Sequence, residues 1–151
     1  MRDVDVAIIG AGVTGLAIAA ELAARGRSVC VLERHPRAGM ETSTHNSGVI
    51  HAGIYYPPGS LKARLCVDGR DRLYAFCAAH DVPHRRCGKL IVASRPDEVP
   101  ALSALEATSR ANGVNVSMVD AAFIRAREPH AAAVAALFSP DTGDPGSHAT
   151  S

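Results

Sequence analysis

Three glycines, Gly10, Gly12 and Gly15, stand as G-x-G-x-x-G directly after the apolar run "VDVAIIG". The chemistry this spacing serves is the holding of a dinucleotide pyrophosphate. Gly10 permits a tight turn, Gly12 has no side chain to keep a diphosphate off the backbone, and Gly15 lets helix and strand pack closely. The N-terminus of a following helix offers unpaired N–H groups and a partial positive charge. Glu33 comes 18 residues after Gly15, where a carboxylate accepts both hydroxyls of an adenosine ribose and repels a ribose phosphate, which disfavours a bare NADP site. Arg34, beside it, either covers an adenine or lies in solvent.

These residues need a βαβ unit to position them. Residues 4–10 saturate with β-branched side chains before a glycine, as a fully buried parallel strand does. From Thr14 to Arg25, Leu16, Ala19, Ala20, Leu22 and Ala23 share one helical face, and Gly26 ends the helix. "SVCVLE" (28–33) is a second buried strand. Strand, glycine turn, helix and strand within about 30 residues make one right-handed crossover.

A polar loop (34–60) follows. A helix is expected from Ser60 to His80, with Leu61, Leu65, Leu73, Phe76 and Cys77 toward the core and Lys62, Arg64, Arg70 and Arg72 mostly wet. "GKLIVAS" (88–94) reads as a strand, Pro96 opens a third helix that uses Val99, Leu102 and Leu105, and Asn112-Gly113 stops it. "VNVSMVD" is a short strand, Asp120 caps a brief helix through Arg127, and "AVAALFS" is one more strand. From Pro140 the composition is that of a loop.

The bulk numbers fit one soluble domain. The chain has 151 residues, 47% apolar and 21% charged, and 16 Lys and Arg nearly cancel 15 Asp and Glu for a net charge of +1. Nothing there favours nucleic acid or an anionic membrane as partner. Cys30, Cys66, Cys77 and Cys87 form no C-x-x-C pair, so reduced structural thiols are expected and no metal. The uncharged stretch between Asp5 and Glu21 is too short for a transmembrane segment. Asp3 and Asp5 do not suit the basic start of a signal peptide, and a cytoplasmic protein is expected.

The βαβ unit leaves FAD and NAD open. "GAGVTGLAIAAELAARGRSVCVLER" followed by "ETSTHNSGVIHAGIYYPPGSLKARLC" resembles the N-terminal part of the D-amino-acid-oxidase-like FAD-dependent oxidoreductases, and within them the L-2-hydroxyglutarate dehydrogenase/oxidase branch. The resemblance implies an α/β, Rossmann-like FAD/NAD(P)-binding fold with a parallel sheet, incomplete relative to the family. It runs from about Val4 to Ser94 and more weakly to Gly143. An FAD-binding portion over residues 1–143 and a divergent, loop-like tail over 144–151 are therefore expected.

The resemblance assigns Gly10, Gly12, Val13, Thr14 and Gly15 to the FAD pyrophosphate and Glu33, with Arg34, to the adenosine end. Thr42, Ser43, Asn46, Ser47 and Gly48 would run along the pyrophosphate and ribityl chain, since short hydroxyl and amide groups donate without bulk. Gly48 and Gly53 would let the backbone pass close to the flavin ring. The implied activity is oxidation of an L-2-hydroxy acid to the 2-oxo acid by hydride transfer to flavin, which requires a base for the hydroxyl proton.

His51 is the candidate, as base or as a hydrogen bond to the ring; the alternative is that it braces the loop. His45 could belong to the surface of the same loop. Tyr55 and Tyr56 line the substrate pocket or simply pack. Lys62 and Arg64 attract a dicarboxylate or lie on a solvated face. Family members are much longer, and after "SPDTG" (139–143) the pattern is lost, with Pro145 and Gly146 breaking any strand. A truncated or frame-interrupted product is expected on that ground, with a non-catalytic nucleotide-binding remnant as the alternative function. The electron acceptor is not legible.

Overall fold

The computed structural model describes residues 3–144, and the chain divides into two compact units, Met1–Ser47 and Gly48–Ser151. The first unit is the expected βαβ crossover. β1 (Val6–Ile9) and β2 (Val29–Leu32) pair in parallel with Val6 opposite Val29 and Ile9 opposite Leu32, and α1 (Val13–Ala24) connects them. Gly26 closes α1 at φ 74, the left-handed conformation a side chain disfavours.

Burial in this unit departs from expectation. The strands are not buried on both faces: exposure alternates along β1, and Ile9 is 89% exposed. α1 has no fully buried residue, and Leu16 and Ile18 are exposed. Two strands and one helix form two layers, so the sheet face opposite α1 has no partner within the unit.

The second unit holds α2 (Leu61–Ala79), β3 (Lys89–Ala93), α3 (Val99–Ala111), β4 (Ser117–Asp120), α4 (Ala121–Arg127) and β5 (Ala135–Ser139). Its sheet has the order β3-β5-β4 and is antiparallel throughout, which the sequence had not disclosed. The core joins Ala52, Ile54, Ala93, Leu102, Val114, Val116 and Leu137. Pro96 opens a 3₁₀ turn (Pro96–Glu98) that runs into α3, so the α-helix starts three residues later than its proline suggests. Ser60 caps α2 by accepting the Ala63 N–H at 3.1 Å, and Asp120 caps α4 by accepting the Phe123 N–H at 2.9 Å.

α2 has its expected length, but of the residues expected toward the core Cys77 alone is buried. Ala63, Arg70, Tyr74 and Cys77 are buried, whereas Leu61, Leu65, Leu73 and Phe76 are exposed. Arg70, expected in water, is 9% exposed because Asp71 (2.8 Å) and Asp141 (3.6 Å) neutralise it where the helix packs. Tyr74 Oη donates to the Asp141 carbonyl at 3.1 Å. The stretch after Pro140 is therefore not all free loop: Gly143 bridges to Ile50 and Asp144 to Arg85. The rest of the expected tail lies outside the described residues.

Candidate functional site

The first unit builds a cleft of about 440 Å³ from the sequence signals at its two strand ends. Gly10 and Gly12 from the glycine turn, Glu33 and Arg34 from the end of β2, and Thr42 and Ser43 from the following loop all line it. His35, Met40 and Glu41 line it as well. The volume falls within the range of small-molecule sites.

Each glycine of the turn has its own reason. Gly10 adopts φ 100, which a Cβ strains, and a Cβ on Gly15 would fall 2.0 Å from the Gly10 carbonyl oxygen. A Cβ on Gly12 would meet Ser43 Oγ at 3.0 Å and occupy the cleft wall. Ser43 Oγ accepts the Val13 N–H at 2.9 Å, so one of the helix amides expected to be unpaired is satisfied by the loop. Thr14 is exposed on the first turn of α1.

Glu33 braces the turn as well as lining the cleft. Its carboxylate accepts the Ala11 N–H at 2.7 Å and the His35 N–H at 2.9 Å. The His35 amide first, then the Ala11 amide, hold its carboxyl below the usual carboxylate range. Arg34 pairs with Glu41, whose other partner is the His35 ring at 2.8 Å. The hydrogen bond with His35, then that with Arg34, brings the Glu41 carboxyl down to about 2. Sequence reasoning missed the part of His35 and Glu41, because nothing in their spacing says that the loop folds back on β2.

Asn46 donates through Nδ2 to the Ser43 carbonyl at 2.9 Å, and Ser47 is exposed. His45 is exposed and its Nδ1 lies 2.8 Å from the Glu41 carbonyl, as a surface residue of this loop does.

The remaining candidates belong to the second unit. Gly48 has φ 61. His51, Tyr55 and Tyr56 line one small hollow with Lys89 and Thr142. The His51 side chain is exposed, and its backbone carbonyl accepts the Cys66 thiol hydrogen at 3.4 Å. Burial pushes the Cys66 thiol up from its ordinary range. Asn112, at the end of α3, holds the segment by donating Nδ2 to the Gly53 carbonyl at 3.1 Å and to the Tyr56 carbonyl at 2.8 Å.

Gly53 is buried, and a Cβ there would meet Val67 at 3.0 Å. Lys62 is exposed on α2 with its ammonium 4.6 Å from the Tyr56 ring, and Arg64 is exposed beyond it. All four cysteines are free thiols, and no cluster fit for a metal occurs among the described residues. No helix among the described residues is long and apolar enough to cross a membrane.

A parallel βαβ unit with a glycine turn under a nucleotide-sized cleft, and a carboxylate at the end of its second strand, defines a dinucleotide-binding protein. The FAD dependent oxidoreductase family pattern matches residues 5–148, and the chain belongs to that family.

Its relatives include the mitochondrial L-2-hydroxyglutarate dehydrogenases of Nematostella vectensis, 50% identical over 92% of this chain and 31% of that protein, and of Homo sapiens, 42% identical with the same two coverages. That of Arabidopsis thaliana is 47% identical over 93% of this chain and 29% of its own length. The chain thus spans about a third of the curated relatives it matches. Among solved structures, the FAD-bound L-α-glycerophosphate oxidase of Mycoplasma pneumoniae matches with a TM-score of 0.87 and 31% identity, covering 95% of this chain and 39% of that one. The glycine oxidase of Bacillus cereus matches with a TM-score of 0.78 and 25% identity, over 94% and 40%.

Proposed function

We propose that this chain is the FAD-holding portion of an enzyme that oxidises an L-2-hydroxy acid of the L-2-hydroxyglutarate kind to the 2-oxo acid. The observation that carries the proposal is the cleft in which Gly10, Gly12, Glu33, Thr42 and Ser43 meet. A cofactor fits these residues: a Cβ would fill the cradle at Gly12, the turn presents backbone, and Glu33 offers a carboxylate to a ribose.

Gly12, Val13, Thr14 and Gly15 would hold the pyrophosphate, Glu33 the ribose and Arg34 the adenine side. Thr42, Ser43, Asn46, Ser47 and Gly48 would serve the rest of the chain toward the ring. Bound FAD supplies the two-electron acceptor for the hydrogen on the carbinol carbon. His51 takes the proton of the substrate hydroxyl, for which a neutral imidazole is suited. Tyr55 and Tyr56 line the substrate pocket, with one hydroxyl toward the substrate. In this reading residues 1–143 are the FAD-binding portion, and the partner is a small-molecule acid rather than a nucleic acid.

A cytoplasmic setting belongs to the same reading; the four free thiols fit a reducing compartment, which the cytoplasm and the mitochondrial matrix both are. The curated relatives carry mitochondrial names, and cell fractionation decides between the two.

The test is direct. The purified protein is expected to be yellow with flavin absorbance, and L-2-hydroxyglutarate is expected to bleach it. A colourless protein that takes up no added FAD sinks the proposal. A second reading, a nucleotide-binding remnant without turnover, is favoured by one observation: all the groups fit for the ADP half lie within Met1–Ser47. Calorimetry showing ADP affinity without flavin retention would select it.

A further inference from the structure

We infer that Lys89 is the anchor for the second carboxylate of a 2-hydroxy dicarboxylic acid, and so sets preference for a dicarboxylate over a monocarboxylate. This rests on the proposed function for the identity of the acid. The structure brings together side chains that are far apart in sequence: Lys89, at the first position of β3, lines the same hollow as His51, Tyr55, Tyr56 and Thr142.

Strand alternation aims the lysine there. Side chains two apart share a face, so Lys89 stands on the face of Ile91 and Ala93, which pack into the core. It is a half-buried cation at the end of an apolar row, not one on the solvent side. Its ammonium lies 4.9 Å from the centre of the Tyr55 ring, a contact that fixes a cation without neutralising it. Among the described residues no carboxylate forms an ion pair with it, whereas Arg25, Arg34, Arg70, Arg85, Arg86, Arg95 and Arg110 all have one.

The hollow is about 10 Å³, room for one water or one carboxylate oxygen and not for a whole acid. It therefore serves as an attachment point for one end of the ligand. Thr142, buried with its Oγ1 3.2 Å from Ser139 Oγ, supplies a polar wall, and the Tyr55 and Tyr56 rings supply the sides. A charge-assisted contact from a point-charge ammonium is enough to discriminate a carboxylate from a methyl group.

The test uses the full chain and two acids of equal length, L-2-hydroxyglutarate and L-2-hydroxypentanoate, which differ in the distal carboxylate alone. Calorimetry is expected to show the dicarboxylate binding about tenfold tighter. Lys89→Met should erase that ratio while leaving the affinity for hydroxypentanoate, Lys89→Arg should keep most of it, and Arg72→Gln, which removes a charge from the exposed face of α2, should leave it unchanged.

A second readout does not depend on the methionine variant folding: with 13C-methylated lysines, the resonance that Lys89→Arg removes should move on adding L-2-hydroxyglutarate and not hydroxypentanoate. A ratio near one in the wild type, no binding of either acid, a ratio that survives Lys89→Met, or a Lys89 resonance that ignores the dicarboxylate overturns the inference. The two proposals fail separately. Flavin retained with no dicarboxylate preference removes only the Lys89 anchor, and the preference without flavin uptake removes only the flavoenzyme reading.

Discussion

Ser43 Oγ accepts the N–H of Val13 at 2.9 Å, so a loop hydroxyl 30 residues away caps the first helix in place of the glycine that precedes it. Gly12 cannot cap, because it has no side chain, and it must stay bare to leave the cleft open. Ser43→Ala is therefore expected to destabilise the ligand-free chain by about 1 kcal/mol, the usual worth of a helix cap. Urea unfolding without FAD measures this, and an unchanged midpoint contradicts it.

Gly15→Ala sets a methyl against the Gly10 carbonyl, where the ideal position is 2.0 Å away. Helix and strand must separate, at about 1–3 kcal/mol for overpacking. The expected result is a lowered unfolding midpoint together with weaker FAD uptake, read from flavin absorbance after gel filtration. Wild-type uptake in this variant would show that the close approach is dispensable.

The cleft carboxylates give the ligand-free chain an acid sensitivity. Glu41 falls from 4.5 to about 2 through His35 and Arg34, and Glu33 is lowered through the His35 and Ala11 amides. A depressed folded value means the stabilisation is present above the unfolded value near 4.5 and is lost as pH falls toward 2. Stability should drop across that interval, and Glu41→Gln should flatten the slope. Equal slopes for wild type and variant in acid titrations would remove Glu41 as a source.

Glu33→Gln keeps the shape but exchanges a charged acceptor for a neutral one. Loss of charge-assisted bonds to a ribose is expected to weaken FAD or ADP binding about tenfold or more. Equilibrium titration of either ligand reads the effect directly, and undiminished affinity would show that Glu33 serves the turn alone.

In the flavin-loaded protein, His51→Asn should slow reduction by L-2-hydroxyglutarate about 10²–10⁴-fold while flavin stays bound. Rapid-mixing absorbance decides this, and a variant that reduces as fast as wild type assigns His51 to loop bracing.

The glycine turn, Glu33, the Asp120 cap and the start of α2 beside Ser60 could all be read from the chain, because each depends on neighbours within a few residues or one crossover. The distinctive stretch from Asn46 to Ala63 likewise pointed to the family. Which face each element buries was not legible. α2 has an apolar row at Leu61, Leu65 and Leu73, yet it packs through Ala63, Arg70, Tyr74 and Cys77, since Asp141 comes from 71 residues away to neutralise the arginine. The strand over 88–94 was legible, but that its Lys89 lies beside His51 and Tyr55 was not. Local hydrogen bonding and backbone sterics act over short spans and leave a trace in residue order. Burial and charge pairing are settled between segments remote in the chain, so they take their partners from the folded arrangement alone.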